Sequence, residues 1–281
     1  MKIEVALFSC NSIPMYSDFW EPISKFWKTK FGIHPVLLYC DDMQIPLSED
    51  YGEVHRFPAV QGVPDYLSAT WGRFWLTKKY PDKTCIIGDI DLIPLSGDFF
   101  DSRLKSIPDD VYVHLNVDAY TPNDFEFWKR PYNVLCATGN VAKGKLFSTV
   151  YSLEDSFEDE MRKFAAVDYS DKTRDAVTMY TAVKEPHLRH ASVELGGKWS
   201  QDEIYSTDLL RQYLSRGGKV ECGITWRKNA RIDRGNWRYD PRDVASGRYI
   251  DSHLLRPYND YKQQIDYLMG LVPAKASYSN H

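Results

Sequence analysis

The sequence predicts a single α/β domain, with a Rossmann-like, mainly parallel central sheet flanked by helices. Short apolar runs alternate with longer segments whose apolar residues recur every three to four positions. This alternation is typical of strands joined by helical crossovers. The 281 residues contain neither an internal repeat nor a Gly/Ser/Pro-rich linker. We therefore expect residues 1–281 to form one domain.

The first half of the chain contains three predicted strands and two predicted helices. The strands are short continuous apolar runs over 5–8, 35–39 and 84–87, the pattern of strands buried on both faces. The helices are amphipathic stripes over 19–31 and 67–80. Because these elements alternate, the three strands are expected to pair in parallel.

The second half of the chain is less regular. Apolar residues alternate with others over 111–117, which predicts a half-buried strand, and 133–137 is a further strand candidate. An acidic segment over 153–164 has a helical apolar stripe. Residues 201–214 are also predicted to be helical, with two glycines as a stop signal.

The composition excludes several classes of protein. Hydrophobic residues make up 43% and charged residues 26%, which excludes a disordered chain, a collagen-like fibre and a coiled coil. The net charge of −4 gives no overall attraction to nucleic acid or membrane. The first residues do not fit a signal peptide, no apolar run is long enough to span a membrane, and the five cysteines form no CxxC pair. We expect a soluble cytoplasmic protein with buried reduced thiols.

Two acids stand where the third predicted strand ends. Asp89 and Asp91 lie inside the apolar run 85–95, and ligands bind at the carboxyl ends of strands in open α/β sheets. In an extended segment both side chains point to the same side. They could share a divalent cation, which in turn could hold a diphosphate. The alternative is a turn whose carboxylates cap backbone N–H groups.

In this context the sequence resembles the glycosyltransferases of the GT-A fold, whose hallmark is an Asp-x-Asp motif at the end of a strand. The segments that carry the resemblance follow in order. Residues 66–74 look like the helix before the motif, and 133–140 look like the strand and glycine loop that face the donor sugar. Residues 199–204 are similar to an acidic helix start near the reacting carbon, and 251–258 to a late histidine segment.

The resemblance implies a Mn²⁺ or Mg²⁺ site. Asp91 would bind the ion directly, and His253 would add an imidazole ligand. Asp89 would bind the ion, the ribose or the donor sugar. The resemblance also implies a pocket for a nucleotide-sugar donor, expected to be a UDP-sugar. The residues expected to line that pocket are Ser9, Asn11, Asp41, Arg73, Asp89, Gly139, Asn140 and Arg227. Arg73 could pair with the donor or with Asp89.

The implied reaction is transfer of a sugar from a nucleotide diphosphate to an acceptor hydroxyl, with retention of configuration. Asp202, together with Gln201 and Glu203, is expected at the reacting centre. Asp202 could orient the donor sugar, stabilise positive charge or act as a base, and the last role would make the enzyme inverting. Residues 1–110 would bind the donor and residues 111–281 the acceptor.

Three other functions stay open at this point, one of which is a sugar-binding relative without catalytic activity. A metal-dependent nucleotidyltransferase also uses paired carboxylates. The basic, aromatic segment 226–242 could close over a donor diphosphate. It could instead bind nucleic acid by tracking phosphates and stacking bases, although the negative net charge argues against this.

Overall fold

The computed structural model describes residues 1–115, 135–167, 201–222 and 231–274. Within them, a seven-stranded sheet has the order β3-β2-β1-β4-β7-β6-β8. Its strands are β1 Val5–Cys10, β2 His34–Cys40, β3 Glu53–Phe57, β4 Thr84–Ile87, β6 Tyr112–His114, β7 Asn140–Lys143 and β8 Val220–Cys222.

The large sheet is mainly parallel. Strands β3, β2, β1 and β4 run parallel to one another, so their carboxyl ends meet at one edge. Strand β7 is antiparallel to both β4 and β6, whereas β8 is parallel to β6. The predicted α/β fold with a mainly parallel sheet is confirmed.

Helices cover both faces of this sheet. On one face lie α2 Trp20–Phe26, α4 Gly97–Leu104 and α9 Tyr258–Leu271, and on the other lie α3 Asp65–Trp75, α5 Gly144–Tyr151, α6 Phe157–Ala166 and α7 Gln201–Ser215. Two further short helices are α1 Pro14–Ser17 and α8 Pro241–Ala245.

The alternation of side chains along β1 explains why the strand is continuously apolar. Ala6 and Phe8 belong to the core on one face, while Val5 and Leu7 belong to the core on the other. Successive strand residues point to opposite faces, and helices cover both. A strand at this position therefore needs an apolar side chain at every residue.

A second, three-stranded sheet follows the acidic motif. It consists of β5 Leu92–Pro94, β9 Arg231–Asp233 and β10 Asp251–His253, in the order β5-β10-β9. Strand β10 is antiparallel to β5 and parallel to β9. This sheet brings residues 231–253 beside the motif.

The sequence located most of the early elements closely. The strand predicted over 35–39 is β2, and the helix over 19–31 is α2 continued by a π-helical turn, Trp27–Phe31. The helix over 67–80 is α3 followed by a 3₁₀ turn, Leu76–Lys79.

Later predictions were less accurate. The strand expected over 133–137 is wrong for its described part, because residues 135–137 do not belong to a strand and the next strand begins at Asn140. The strand over 111–117 is present as Tyr112–His114, but it is buried on both faces rather than half-buried. The apolar stripe at 153–164 becomes a helix only from Phe157.

The structure partly tests two expectations from the sequence, the absence of a membrane-spanning helix and the burial of the cysteines. No helix among the described residues is long and apolar enough to cross a membrane. Cys10, Cys40 and Cys85 are buried free thiols, as predicted, whereas Cys136 is free but partly exposed.

Candidate metal site at the sheet edge

The chain leaves β4 through a residue that must be small. Gly88 continues the ladder, since its N–H donates to the Leu7 carbonyl at 3.0 Å. A Cβ on Gly88 would come within 2.8 Å of the Phe8 ring, so a larger residue would displace the strand end. Asp89 and Asp91 follow, and the Leu254 N–H donates to the Asp91 carbonyl at 2.8 Å. The backbone of the motif is thus fixed between the two sheets.

Three potential metal ligands meet at this edge. His253 pairs with Leu92 across the antiparallel β5–β10 ladder, which places it beside the motif. One ligand atom from each of Asp89, Asp91 and His253 lies within 4.8 Å of the others. His253 Nε2 is 3.5 Å from Asp91 Oδ1.

The chemistry of this donor set fits a small divalent cation. Ligands held at about 2.1 Å around an octahedral ion lie roughly 3–4.3 Å apart, so small side-chain movements would close the three atoms on an ion. Two carboxylates and one imidazole suit Mn²⁺ well, and Mg²⁺ accepts the oxygens. Three protein ligands leave room for phosphate oxygens or water. Asp89, Asp91 and His253 could therefore hold Mn²⁺ or Mg²⁺.

The neighbouring strand places a carboxylate near the imidazole. The parallel β9–β10 pairing places Asp233 level with His253, and Asp233 Oδ2 is 3.8 Å from His253 Nδ1. A carboxylate on one ring nitrogen directs the other nitrogen toward a metal. Burial acts to raise the pKa of Asp233, but His253 and the Gly235 N–H overcome it and lower that pKa to about 2.

Two arginines converge on the buried motif carboxylate. Arg234 Nη1 donates to Asp91 Oδ2 at 2.6 Å, and Arg256 Nη1 lies 3.5 Å from the same oxygen. Burial acts to raise the pKa of Asp91, but His253, Arg234 and Arg256 outweigh it and hold that pKa well below its usual value. Asp91 is therefore an anion at neutral pH, as a metal ligand must be.

Arg73 connects the metal motif to the predicted reacting centre. It lies on α3, is only 6% exposed, and contacts the Asp89 carboxylate through Nη1, which also donates to the Gly88 carbonyl at 3.1 Å. Its Nη2 donates to Asp202 Oδ2 at 2.8 Å. One guanidinium thus bridges two acids that are far apart in the sequence.

Asp202 is a buried carboxylate at the start of α7. It is 4% exposed, and its Oδ1 accepts the Glu203 N–H at 3.0 Å. Burial raises the pKa of Asp202 to about 6, opposed by Arg73 and reinforced by Asp89. Neighbouring Gln201 donates from Nε2 to the Phe164 carbonyl at 2.7 Å, so its amide anchors the helix start to α6.

The predicted base and ribose residues lie at the carboxyl ends of β1 and β2, where they also support the local loops. The Ser9 hydroxyl donates to the Ala69 carbonyl at 2.5 Å. Asp41 accepts from both the N–H and the hydroxyl of Ser12, at 3.1 and 2.6 Å. Asn11 is 5% exposed and accepts from the Ile13 N–H at 3.3 Å. Their roles toward a nucleotide stay a prediction.

The predicted glycine loop leads into β7 and contacts the end of β4. Gly139 has a φ of +78°, a left-handed conformation that favours glycine. Its N–H donates to the Ile87 carbonyl at 2.9 Å. Asn140 donates from Nδ2 to the Ala137 carbonyl at 2.8 Å and is 2% exposed. Arg227 lies outside the described residues.

Of the ion pairs that surround this site, sequence reasoning named only Arg73 with Asp89, as one of two alternatives for Arg73. It treated the segment 226–242 as a basic, aromatic cluster. In the fold, Arg231 forms a two-bond pair with Asp251 at 2.8 Å for each bond, and Arg234 binds Asp91. The position of Arg256, three residues after His253, is the one sequence signal that could have indicated a further cation at the site.

Comparison with known sequences finds no match for the chain: no family model matches it, and no curated protein matches its sequence. Among solved structures, the chain is similar to galactosyltransferase LgtC, which was crystallised with donor and acceptor sugar analogs, at 12% identity and a TM-score of 0.45 over 98% of each chain. It is also similar to glycosyltransferase GlyE of Streptococcus pneumoniae TIGR4, at 11% identity and a TM-score of 0.43, over 97% of this chain and 62% of GlyE. For the bifunctional glycosyltransferase WbbM the values are 11% and 0.39, over the whole of this chain and 46% of WbbM.

Proposed function

We propose that this protein is a metal-dependent glycosyltransferase that moves a sugar from a nucleotide diphosphate donor, a UDP-sugar, to an acceptor hydroxyl. One observation carries the proposal: Asp89, Asp91 and His253 offer ligand atoms within 4.8 Å of one another, at the carboxyl edge of a parallel sheet. A set of two acids and an imidazole at that edge, with Asp91 buried and the other two partly exposed, suits a cation that binds phosphate. Arginines surround it, and arginine binds phosphate through forked hydrogen bonds.

The site residues divide the work. Mn²⁺ or Mg²⁺, when bound, would neutralise charge on the departing diphosphate. Arg234 and Arg256 both contact Asp91, the carboxylate that would bind the ion. They would donate hydrogen bonds to the phosphate oxygens. Arg73 holds Asp89 and Asp202 at fixed positions. Such fixed charges act without reorganisation during the reaction.

The engagement of Asp202 favours retention of configuration. Its Oδ2 is bound by Arg73 at 2.8 Å and its Oδ1 by a backbone N–H, which suits a carboxylate that orients the donor sugar and stabilises positive charge. The leaving phosphate would then accept the proton of the acceptor hydroxyl. An inverting reaction would instead use Asp202 as the base. The NMR coupling of the anomeric proton in the product distinguishes the two outcomes.

We further propose that residues of the first half bind the donor and residues of the second half bind the acceptor. Ser9, Asn11 and Asp41 lie at the ends of β1 and β2, beside the edge that carries the motif. The division is not complete, because His253 of the second half joins the metal site.

The first test is ligand binding. A thermal-shift screen of nucleotides and nucleotide sugars, with and without Mn²⁺, identifies the donor because a ligand that binds the native state raises the melting temperature. We expect UDP-sugars to raise it, and to do so more with Mn²⁺. Stabilisation by nucleoside triphosphates alone, with pyrophosphate release, would favour a nucleotidyltransferase instead.

The second test is substitution of the motif. Asp91→Asn removes the charge of the buried ligand while keeping its shape, and we expect sugar transfer to fall by at least 100-fold. Asp260→Asn changes an exposed acid on α9 and serves as the matched control, with unchanged transfer. Equal rates for wild type and Asp91→Asn would exclude the proposed metal site.

A further inference from the structure

One cation at the site occupies the carboxylate that the metal needs. Arg234 Nη1 donates to Asp91 Oδ2 at 2.6 Å. Its side chain is 26% exposed, while that of Asp91 is 5% exposed. Arg234 directly follows β9, the strand that pairs with the ligand strand β10. It therefore reaches the motif from the end of the strand next to β10.

The other arginines near the motif are held more firmly. Arg73 is shared between two carboxylates and a backbone carbonyl. Arg231 makes a two-bond pair with Asp251. Arg256 donates to the Tyr16 hydroxyl at 2.9 Å, and its guanidinium lies 5.4 Å from the centre of that ring.

Arg234 is bound more simply. Among the described residues, Asp91 is the acceptor that its guanidinium contacts. With one acceptor among the described residues and a partly exposed side chain, Arg234 is the arginine of this group that we expect to leave most readily.

A divalent ion and a guanidinium on one carboxylate repel each other. Asp91 cannot bind the ion and the guanidinium tightly at the same time, because two like charges within a few ångströms repel each other in a buried site. A nucleoside diphosphate brings the missing anion, and guanidinium groups bind phosphate oxygens as a fork. The phosphate could therefore bind Arg234 in the same step in which the ion binds Asp91.

On the basis of the proposed function, we propose that Arg234 is exchanged between Asp91 and the donor diphosphate. In the nucleotide-free protein it neutralises Asp91 and weakens the binding of a metal ion. When the nucleotide binds, Arg234 moves to the phosphate and Asp91 becomes free to ligate. Arg234 thus makes the binding of metal and nucleotide cooperative, beyond any direct contact between the two ligands.

The test measures the affinity for Mn²⁺ from the EPR signal of the free ion, without and with saturating UDP. In wild type we expect weak binding of Mn²⁺ alone and an increase of at least tenfold with UDP. In Arg234→Gln we expect Mn²⁺ alone to bind 3- to 10-fold more tightly. The increase caused by UDP should shrink at least fivefold, within the usual range of coupling between two sites. The same factors must appear in the affinity for UDP measured with and without Mn²⁺, because coupling is reciprocal.

Two further variants separate this role from a structural one. Arg234→Lys keeps the charge, so it should leave the affinity for Mn²⁺ alone near the wild-type value while weakening UDP binding through loss of the fork. Arg248→Gln removes an arginine that is 75% exposed and paired with Asp243 at 3.1 Å, and it should change neither affinity.

The outcomes distinguish the inference from the function on which it rests. If wild type binds neither Mn²⁺ nor UDP, the proposed function fails and the exchange fails with it. If wild type binds both, but Arg234→Gln binds Mn²⁺ alone equally or more weakly, the exchange is excluded and the proposed function stands. Circular dichroism confirms that each variant is folded before its affinities are compared.

Discussion

Removing Arg73, which bridges Asp89 and Asp202, should measure how much these ion pairs contribute to the free energy of unfolding. The side chain of Arg73 is 7% exposed and that of Asp202 is 6% exposed, so Arg73→Met leaves a carboxylate buried without its cation. Breaking one partner of a buried pair costs about 3–5 kcal/mol. Asp89 contributes less of this cost, because its side chain is 31% exposed. We expect a loss of about 4 kcal/mol of unfolding free energy at pH 8.

The loss should depend on pH, with a definite sign. Burial already raises the pKa of Asp202 to about 6 in the presence of Arg73, and removing the cation raises it further. An acid whose pKa is raised in the folded state lowers stability as pH rises through that pKa. Protonation of Asp202 at pH 5 relieves the unpaired charge, so Arg73→Met should then cost under about 2 kcal/mol.

The assay is urea unfolding in EDTA at pH 5 and pH 8, followed by both tryptophan fluorescence and circular dichroism. Coincident curves from the two probes establish that a single free energy is meaningful. Arg248→Met is the matched control, with an expected change within about 0.5 kcal/mol at both pH values because the side chain is exposed.

A double-mutant cycle assigns the effect to the pair. Asp202→Asn in the Arg73→Met background removes the stranded charge, so the double variant should be more stable at pH 8 than Arg73→Met alone. We expect a coupling energy of about 2–3 kcal/mol. A cost for Arg73→Met below about 1 kcal/mol, or an equal cost at both pH values, would refute the reasoning.

Three further predictions concern residues around the site. Burial lowers the pKa of His114 from 6.5 to about 4. The unfolded chain therefore takes up a proton first as pH falls, and stability should drop by about 2 kcal/mol between pH 6.5 and 4.5; His114→Gln should flatten this slope in urea titrations. Glu160 is fully buried and accepts from the Trp71 indole at 2.8 Å and the Glu154 N–H at 2.7 Å. Glu160→Ala should thus cost about 3 kcal/mol, whereas unchanged denaturation midpoints would contradict that network. Gly139 adopts a φ of +78°, so Gly139→Ala should cost about 1–2 kcal/mol, and a neutral result in thermal unfolding would show that the loop relaxes.

The sequence predicted the strands that the fold buries on both faces. Strands β1, β2 and β4 are continuous apolar runs because helices cover each side of the sheet, and such runs are visible without any partner. By contrast, β3 is an edge strand in which most residues are half-exposed, and its mixed polarity matches no single period. A periodic pattern of apolar residues appears in a sequence only where one or both faces of an element are buried, and neither face of this edge strand is.

The second sheet was invisible for a different reason. Strands β5, β9 and β10 have three residues each, which is too short for any periodicity to appear. Helix α9 was also missed, since Tyr258, Ile265 and Leu268 are its only fully buried residues over 14 positions. These elements exist because they pair with the motif and with the core, so their cause lies in tertiary structure.

The three candidate metal ligands were proposed from their order along the chain, whereas their counter-ions, apart from Arg73 beside Asp89, were not. An ion pair such as Arg73–Asp202 joins residues 129 positions apart, and Arg234–Asp91 joins residues 143 positions apart. Pairing over such distances leaves no local pattern. A glycine loop or an acidic motif carries its own geometry, but a buried arginine acquires its partner only when the chain folds.

This pairing changes the interpretation of the basic segment 226–242. Of its four described arginines, three are paired with acids: Arg231 with Asp251, Arg234 with Asp91 and Arg242 with Asp240. A nucleic acid would have to displace these acids without replacing the cation each one loses. In the exchange proposed above, a metal ion would replace Arg234 on Asp91, and a diphosphate would replace Asp91 on Arg234. A cation and an anion that bind together would thus leave each charged group of this pair with a partner, which is why we favour the glycosyltransferase proposal over nucleic-acid binding.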